Sequence, residues 1–358
     1  MSARLTAGQW NRTLLQRQHL LERVDEDAIE VIDRCVGLPA GDSGSPVQAL
    51  FARIDGFDPD ELDSLLTARE VVEMVLHRGA VFVMDGLDAR WIRQAVQPAV
   101  TASRRAASLP PGVDRAQILA VATGLLTGHR AGVPGAVVRA ELSRTWPQIP
   151  VRTLLEVVET GSPLVRIRPP GQRPDDRQAG DQQPGYGLLD EWIGAGEPAV
   201  TGAEAHRDLI RMYLRGFGPS SAAAVTRWCG LAGTARLLEA MEAEWELARL
   251  VGPDGQELYD LDGLPIADAE LAAPVRFLAP GDEIFSGADR GRVRDRQGRR
   301  ADCAAGPAPG GVLVDGRLAG TWRLRDGAVD LTETVDLQPR ERAEVEREAA
   351  RLADFCAR

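Results

Sequence analysis

Arg290, Arg292, Arg294 and Arg296 occupy every second position of one segment, and Arg299 and Arg300 follow after Gln297-Gly298. In an extended strand, alternate side chains share a face. These guanidinium groups would then line one side, and a turn at Gln297-Gly298 would bring Arg299 and Arg300 back beside them. Planar guanidinium forks bind phosphate oxygens in pairs. A ribbon of this kind suits a phosphate backbone or a narrow minor groove. The same charges also fit a solvated loop neutralised by Asp289 and Asp295, because exposed charge runs are common. All 42 basic residues are arginine; GC-rich coding would produce that bias without selection, although arginine remains a strong phosphate ligand.

Other chemistries find little support. Cys35, Cys229, Cys303 and Cys356 lie far apart, and His19, His77, His129 and His206 form no cluster. The spacing offers no zinc site, and no metal or cofactor is expected. The cysteines read as thiols in a reducing compartment. The net charge of −11 opposes DNA binding only if spread evenly, and it is not. One acidic block runs from Asp55 to Glu73, and another holds Glu341, Glu344, Glu346 and Glu348. Both read as solvated helix faces.

The elements that must position the arginines repeat a pattern of short helices followed by a tight hairpin. The clearest copy runs from Ala203 to Leu261. A helix ends at Gly216-Phe217-Gly218-Pro219, Pro219 begins a second, and a third starts at Thr234. Strands Trp245–Val251 and Gln256–Leu261 flank the turn Gly252-Pro253-Asp254-Gly255. Helix, turn, helix, hairpin is a winged helix. A first copy spans Thr6 to Pro98, with a hairpin of Val71–Leu76 and Ala80–Met84. A second spans Val113 to Arg168. Pro169 to Gly187 reads as a mobile linker or wing tip. Arg276 to Leu337 reads as a small β-barrel with a hairpin at Asp315-Gly316, and Arg340 to Phe355 as an amphipathic helix. At 358 residues the chain can hold two to four domains. No apolar run reaches the ~20 residues of a membrane helix, and the start lacks a signal-peptide pattern. A cytoplasmic protein is expected.

Several motifs together resemble the AlkZ/YcaQ family of winged-helix DNA glycosylases, over nearly the whole chain. They are Arg12 through Arg23, Leu50-Phe51-Ala52-Arg53-Ile54-Asp55-Gly56-Phe57-Asp58, and His77-Arg78-Gly79. Tyr213-Leu214-Arg215-Gly216-Phe217-Gly218-Pro219 with Trp228-Cys229-Gly230 adds to these. So do Pro274–Leu278 with Ala288-Asp289-Arg290, and Asp315-Gly316-Arg317 with Gly320-Thr321-Trp322-Arg323. Each is weak alone; their order and spacing carry the resemblance.

The resemblance implies an α+β chain of three tandem winged helices and a small C-terminal β-barrel around a concave DNA-binding surface. The expected domains are 1–108 (first winged helix, with the active-site loop), 109–170 (second) and 171–200 (linker or extended wing). They continue as 201–265 (third winged helix), 266–337 (barrel) and 338–358 (terminal helix). It also implies metal-free hydrolysis of the N-glycosidic bond of alkylated purines, with some members protecting antibiotic producers from their own products. The expected partner is double-stranded DNA carrying a bulky alkylpurine adduct, bound by a monomer. The expected DNA contacts are Arg53, Arg78, Arg290, Arg292, Arg294, Arg296, Arg299, Arg300 and Arg323.

The chain departs from the family pattern where members carry Gln-x-Gln or Gln-x-Asp after a Gly-Leu. Here Gly37-Leu38 is followed by Pro39-Ala40-Gly41, so neither polar position has a side chain that can hold water. A second departure is Gly287, where many members have His. Three explanations stand. Asp42 has taken over water activation, with Pro39 and Gly41 reshaping the loop for a bulkier adduct. Gln48 or Ser43 orients the water. Or catalysis is lost and the chain is a non-catalytic DNA-binding protein, for damage shielding or regulation. Asp42 also fits a helix cap before Pro46 or an exposed loop carboxylate. Glu239 and Glu242 beside Arg236 make a poor major-groove reader. A protein-interaction scaffold with no nucleic-acid role is the remaining alternative.

Overall fold

The computed structural model describes residues 3–40, 45–103, 109–168, 184–285, 289–293, 309–325 and 327–357. The first helices are α1 (Ala7–Arg17), α2 (Ala28–Arg34), α3 (Pro46–Arg53), α4 (Pro59–Ala68), α5 (Gly86–Ala95) and α6 (Gln97–Thr101). Then come α7 (Arg115–Leu126), α8 (Gly135–Thr145), α9 (Val151–Gly161) and α10 (Leu189–Trp192). The last are α11 (Gly202–Phe217), α12 (Ala222–Cys229), α13 (Thr234–Ala243) and α14 (Pro339–Cys356). The strands are β1 (Leu38–Pro39), β2 (Val71–Val75), β3 (Val81–Asp85), β4 (Leu164–Ile167), β5 (Gly185–Leu188) and β6 (Leu247–Val251). They end with β7 (Glu257–Leu261), β8 (Arg276–Leu278), β9 (Gly310–Val314), β10 (Arg317–Arg325) and β11 (Ala328–Glu333). The architecture is mixed α+β. The chain divides into two compact units.

One unit comprises Met1–Asp58, Ile210–Trp228 and Ala232–Arg358. Helix α1 starts at a capping box, in which Thr6 and Gln9 bond each other's backbone N–H. Its Trp10, Leu14 and Leu15 are buried, and Trp10 packs with Leu5 and Leu258. Hairpin β6–β7 pairs Leu247 with Leu261 and Val251 with Glu257. Strands β11-β10-β9-β8 form a four-stranded antiparallel sheet. The β9–β10 turn holds Asp315 (φ 49°) and Gly316 (φ 70°), the two positive φ angles that a tight primed turn requires. Helix α14 carries buried Val345, Leu352 and Phe355 at helical spacing. Phe355 stacks on Phe51 of α3, ring centroids 4.4 Å apart.

The other unit comprises Pro59–Leu209 and Cys229–Leu231. Helices α7, α8 and α9 bury Ile118, Leu126, Val138, Leu142, Leu154 and Val158 in one core with Tyr186 of β5. Hairpin β2–β3 pairs Val71 with Asp85 and Val75 with Val81. Strand β2 also pairs with β4, and β4 with β5, giving the order β3-β2-β4-β5. Asp85 caps α5 by accepting from the N–H groups of Leu87 and Asp88.

Two sequence expectations need correction, the closed barrel and the helix start at Pro219. Strands β8 to β11 form an open sheet rather than a closed barrel among the described residues. The segment read as a linker or extended wing contains β5, which pairs with β4, and α10, and its Tyr186 is buried. Pro219 does not open the second helix of the third copy. Helix α12 begins at Ala222, and Ser221 Oγ accepts from Ala224 N–H at 3.2 Å. Among the described residues, no helix is long and apolar enough to cross a membrane.

Candidate active site

Between α2 and α3 the chain makes a strained turn. Val36 has φ 54° and Gly37 has φ 86°. A β-branched residue in the left-handed region is a genuine outlier, costing about 1–2 kcal/mol. Such strain persists only where the surroundings enforce it, and it clusters at functional sites. The turn leads into β1, where Leu38, Pro39 and Ala40 are all buried. Helix α3 then starts with Pro46 at its first turn and Ser45 as its N-cap, Ser45 Oγ accepting from Gln48 N–H at 3.3 Å. Ser45 thus holds the capping position, which corrects the reading of Asp42 as the cap.

Residues on both flanks of this loop line a small cavity in the first unit. Gly37, Leu38 and Pro39 contribute on one side, Ser45, Ala49 and Arg53 on the other, with Gln18, Cys35 and Asp282 behind. Its volume is about 10 Å³, room for about one water molecule. Helical spacing places Ala49 and Arg53 one turn apart on the same face of α3.

A buried charge network forms its wall. Arg53 is 1% exposed. It donates from Nη1 to Ala49 O at 3.0 Å, and from Nη2 to Gln18 Oε1 at 3.3 Å and Asp282 Oδ1 at 3.1 Å. Asp282 Oδ1 also accepts from Ile284 N–H at 3.2 Å. Asp282 Oδ2 lies 2.9 Å from Arg53 Nη2, yet off the N–H direction, so it accepts no hydrogen bond from the protein. Gln18 Nε2 donates to Gly216 O at 2.9 Å. Gly216 must lack a side chain here, because a Cβ would stand 2.3 Å from the Arg34 carbonyl oxygen.

Burial is the largest single influence on Arg53 and would lower its pKa, but the charges and hydrogen bonds of Asp282 and Cys35 together more than offset it and the net shift is upward. Burial pushes the Cys35 thiol up to about 11, against the opposing pull of Arg53. Cys35 is therefore a neutral donor to Gln18 Oε1 at 3.5 Å. His19 is pushed down to about 4 by burial, then by Arg34 and Arg53. What this wall offers chemically is a fixed carboxylate oxygen with open lone pairs beside a water-sized space. Such a group can orient a water molecule and oppose positive charge.

The sequence-derived residues divide clearly. Pro39 and Ala40 are at the cavity edge or next to it, while Gly41, Asp42 and Ser43 lie outside the described residues. Gln48 is half-buried; its Oε1 is enclosed without a hydrogen-bond partner, and it does not line the cavity. Arg53 and Arg292 are both buried and engaged with acceptors inside the protein rather than presented at its surface. Arg292 is 4% exposed. It donates to Phe217 O at 2.5 Å and Ser220 Oγ at 2.8 Å, with its guanidinium over the Trp10 ring. Arg290–Val293 is a 3-10 turn, not the start of an extended ribbon. Its closer spacing removes the shared face that alternation would give. Arg294, Arg296, Arg299 and Arg300, with Gly287, lie outside the described residues. Arg78 sits at φ 55° in the β2–β3 turn and Arg323 on β10, both half-buried.

Sequence reasoning missed Asp282, Gln18 and Cys35. One signal was present: Arg53 interrupts the run Ala49-Leu50-Phe51-Ala52 before Ile54, a position that burial would turn into a paired charge.

The α+β architecture and the loop-bounded carboxylate site define a class that similarity to known proteins makes specific. Residues 32–355 match the family model described as DNA glycosylase AlkZ-like. The chain belongs to the AlkZ-like DNA glycosylase family. Its structure is similar to that of Streptomyces sahachiroi DNA glycosylase AlkZ, with a TM-score of 0.74 and 18% sequence identity. That likeness covers 98% of this chain and 96% of the other, and shows a shared fold. No curated protein matches the chain in sequence.

Proposed function

We propose that this chain is a monofunctional DNA glycosylase for a bulky, positively charged purine adduct of the N7-alkylguanine type in double-stranded DNA. A role in self-resistance to a DNA-alkylating natural product belongs to the same reading, as does action as a cytoplasmic monomer. The observation that carries it is the family match from residue 32 to 355, which includes the strained turn and every lining residue of the cavity except Gln18.

Alkylation at N7 makes the purine a good leaving group without strong acid assistance. The C1′–N9 bond breaks with its electron pair leaving on the neutralised base, and the sugar approaches an oxocarbenium ion. Water then adds to C1′ and loses a proton. The protein must hold that water and oppose the developing charge. Asp42 and Ser43, in the loop between Pro39 and Ser45, are the proposed water-binding groups, with Gln48 the remaining candidate. Pro39 and Gly41, in place of the paired glutamines, would reshape the loop and admit a bulkier adduct. Recognition proceeds by duplex distortion, with the lesion either flipped or attacked in its intercalated position.

Purified protein incubated with duplexes carrying N7-guanine adducts is expected to leave alkali-labile abasic sites. Asp42→Asn should slow cleavage at least about 100-fold, the scale of general acid–base assistance, with duplex affinity unchanged. An unchanged rate removes Asp42 from the mechanism. The second reading, binding without catalysis, is favoured by the burial of Pro39 and Ala40, which offer no hydrogen-bonding side chain. Tight duplex binding with no base release across adducts selects it.

A further inference from the structure

A second, larger cleft in the same unit contains a buried cation that no carboxylate among the described residues pairs directly, Glu348 being the opposing charge that acts on it. The cleft has a volume of about 1050 Å³ and runs between β8, the β9–β10 turn and α14. Arg276 of β8 lines it and is 6% exposed. Its hydrogen bonds go to two backbone carbonyls, Val275 O at 3.2 Å and Leu21 O at 3.5 Å. Its Nε is enclosed and unpartnered. No carboxylate among the described residues lies within ion-pair distance of it.

The carboxylates of this cleft are already engaged. Glu348 accepts from Arg23, Glu344 from Arg340, and Asp315 from Arg12. Glu341 accepts from the Gln338 N–H that opens α14. Arg351 is paired with Asp55. Arg347 is exposed on the rim and has no partner among the described residues. The cations of the cleft that no carboxylate among the described residues pairs are Arg276 and Arg347, and they outnumber Glu341, which accepts from a neutral backbone N–H. An unpaired buried guanidinium is costly, so such groups are normally paired.

We propose that this cleft is a phosphate-binding site, with Arg276 as its buried cation and Arg347 as its rim cation. A phosphoryl group presents several oxygens at once, which match the fork of one arginine and leave an oxygen for a second. The occupant is either a backbone phosphate of DNA or a free phosphate. The DNA source rests on the DNA reading above; the site itself does not depend on base release.

Two variants of the full chain test it: Arg276→Gln, and Arg347→Gln, whose exposed position spares folding. Thermal unfolding is followed in inorganic phosphate, in acetate and in chloride at equal ionic strength. Duplex binding is followed by fluorescence anisotropy across a salt series. If DNA supplies the phosphate, each variant lowers the slope of log affinity against log salt by about 0.9. If free phosphate is the occupant, phosphate raises the unfolding temperature of the parent chain above that in acetate, and both variants lose the increment while duplex binding stays the same. The proposal is overturned if Arg347→Gln leaves both responses unchanged, or if acetate stabilises as much as phosphate with no change in the duplex slope. Absence of base release would overturn the glycosylase reading and leave this result intact.

Discussion

Replacing Asp282 by Asn keeps the shape of the cavity wall and removes one charge. Arg53 would then be a guanidinium at 1% exposure with no anion beside it. Removing one partner of a buried ion pair typically costs about 3–5 kcal/mol. Arg53 keeps the carbonyl of Ala49 and the Oε1 of Gln18 as acceptors, which places the cost near the lower end, about 3 kcal/mol. For a unit of this size that corresponds to a fall of roughly 6–12 °C in unfolding temperature. Scanning calorimetry on the parent, Asp282→Asn and the double variant Arg53→Met/Asp282→Leu measures it. The double variant removes both charges and should recover most of the loss, because apolar replacement of a buried pair is often neutral. A single-variant shift under about 2 °C, or a double variant no more stable than the single, would refute the claim that an uncompensated charge is the cause.

Other consequences follow from the same unit. Asn11 is buried and donates through Nδ2 to Arg292 O at 2.7 Å and Gly316 O at 2.8 Å. Asn11→Ala leaves both carbonyls unsatisfied and should cost about 1–3 kcal/mol by denaturant titration. His19 has its folded pKa lowered from 6.5 to about 4. The unfolded chain therefore binds a proton first, and stability present above about pH 6.5 is lost as pH falls toward 4. In His19→Asn, which tolerates the positive φ of this position, the pH dependence of unfolding in that window should flatten by about 2–3 kcal/mol. An unaltered slope would show that His19 is not its source.

Turns were the most legible part of the fold. Gly252-Pro253-Asp254-Gly255 and Asp315-Gly316 state their geometry locally, and β6–β7 and β9–β10 pair around them. The apolar periodicity of Leu154, Leu155, Val157 and Val158 likewise marks α9. The pairing of β2 with β4 was not legible, because register between strands about ninety residues apart depends on which faces are buried rather than on either segment alone. Arginine misled most. An arginine in sequence looks solvent-facing, yet Arg53 and Arg292 are interior. What decides this is an acceptor far along the chain, Asp282 for one and the Phe217 carbonyl for the other. The segment after Gly37-Leu38 was singled out by family resemblance, whereas the carboxylate across the cavity from it was not, since nothing in Gly281-Asp282-Glu283 signals a partner at Arg53.

The most direct test of the glycosylase account is mass spectrometry of the free base. Duplex DNA carrying a bulky N7-alkylguanine is incubated with the protein, and both the released base and the strand are weighed. The account predicts free alkylguanine together with an unbroken strand lighter by that base and carrying an abasic sugar. A strand that stays at full mass while the protein holds the duplex tightly would contradict it.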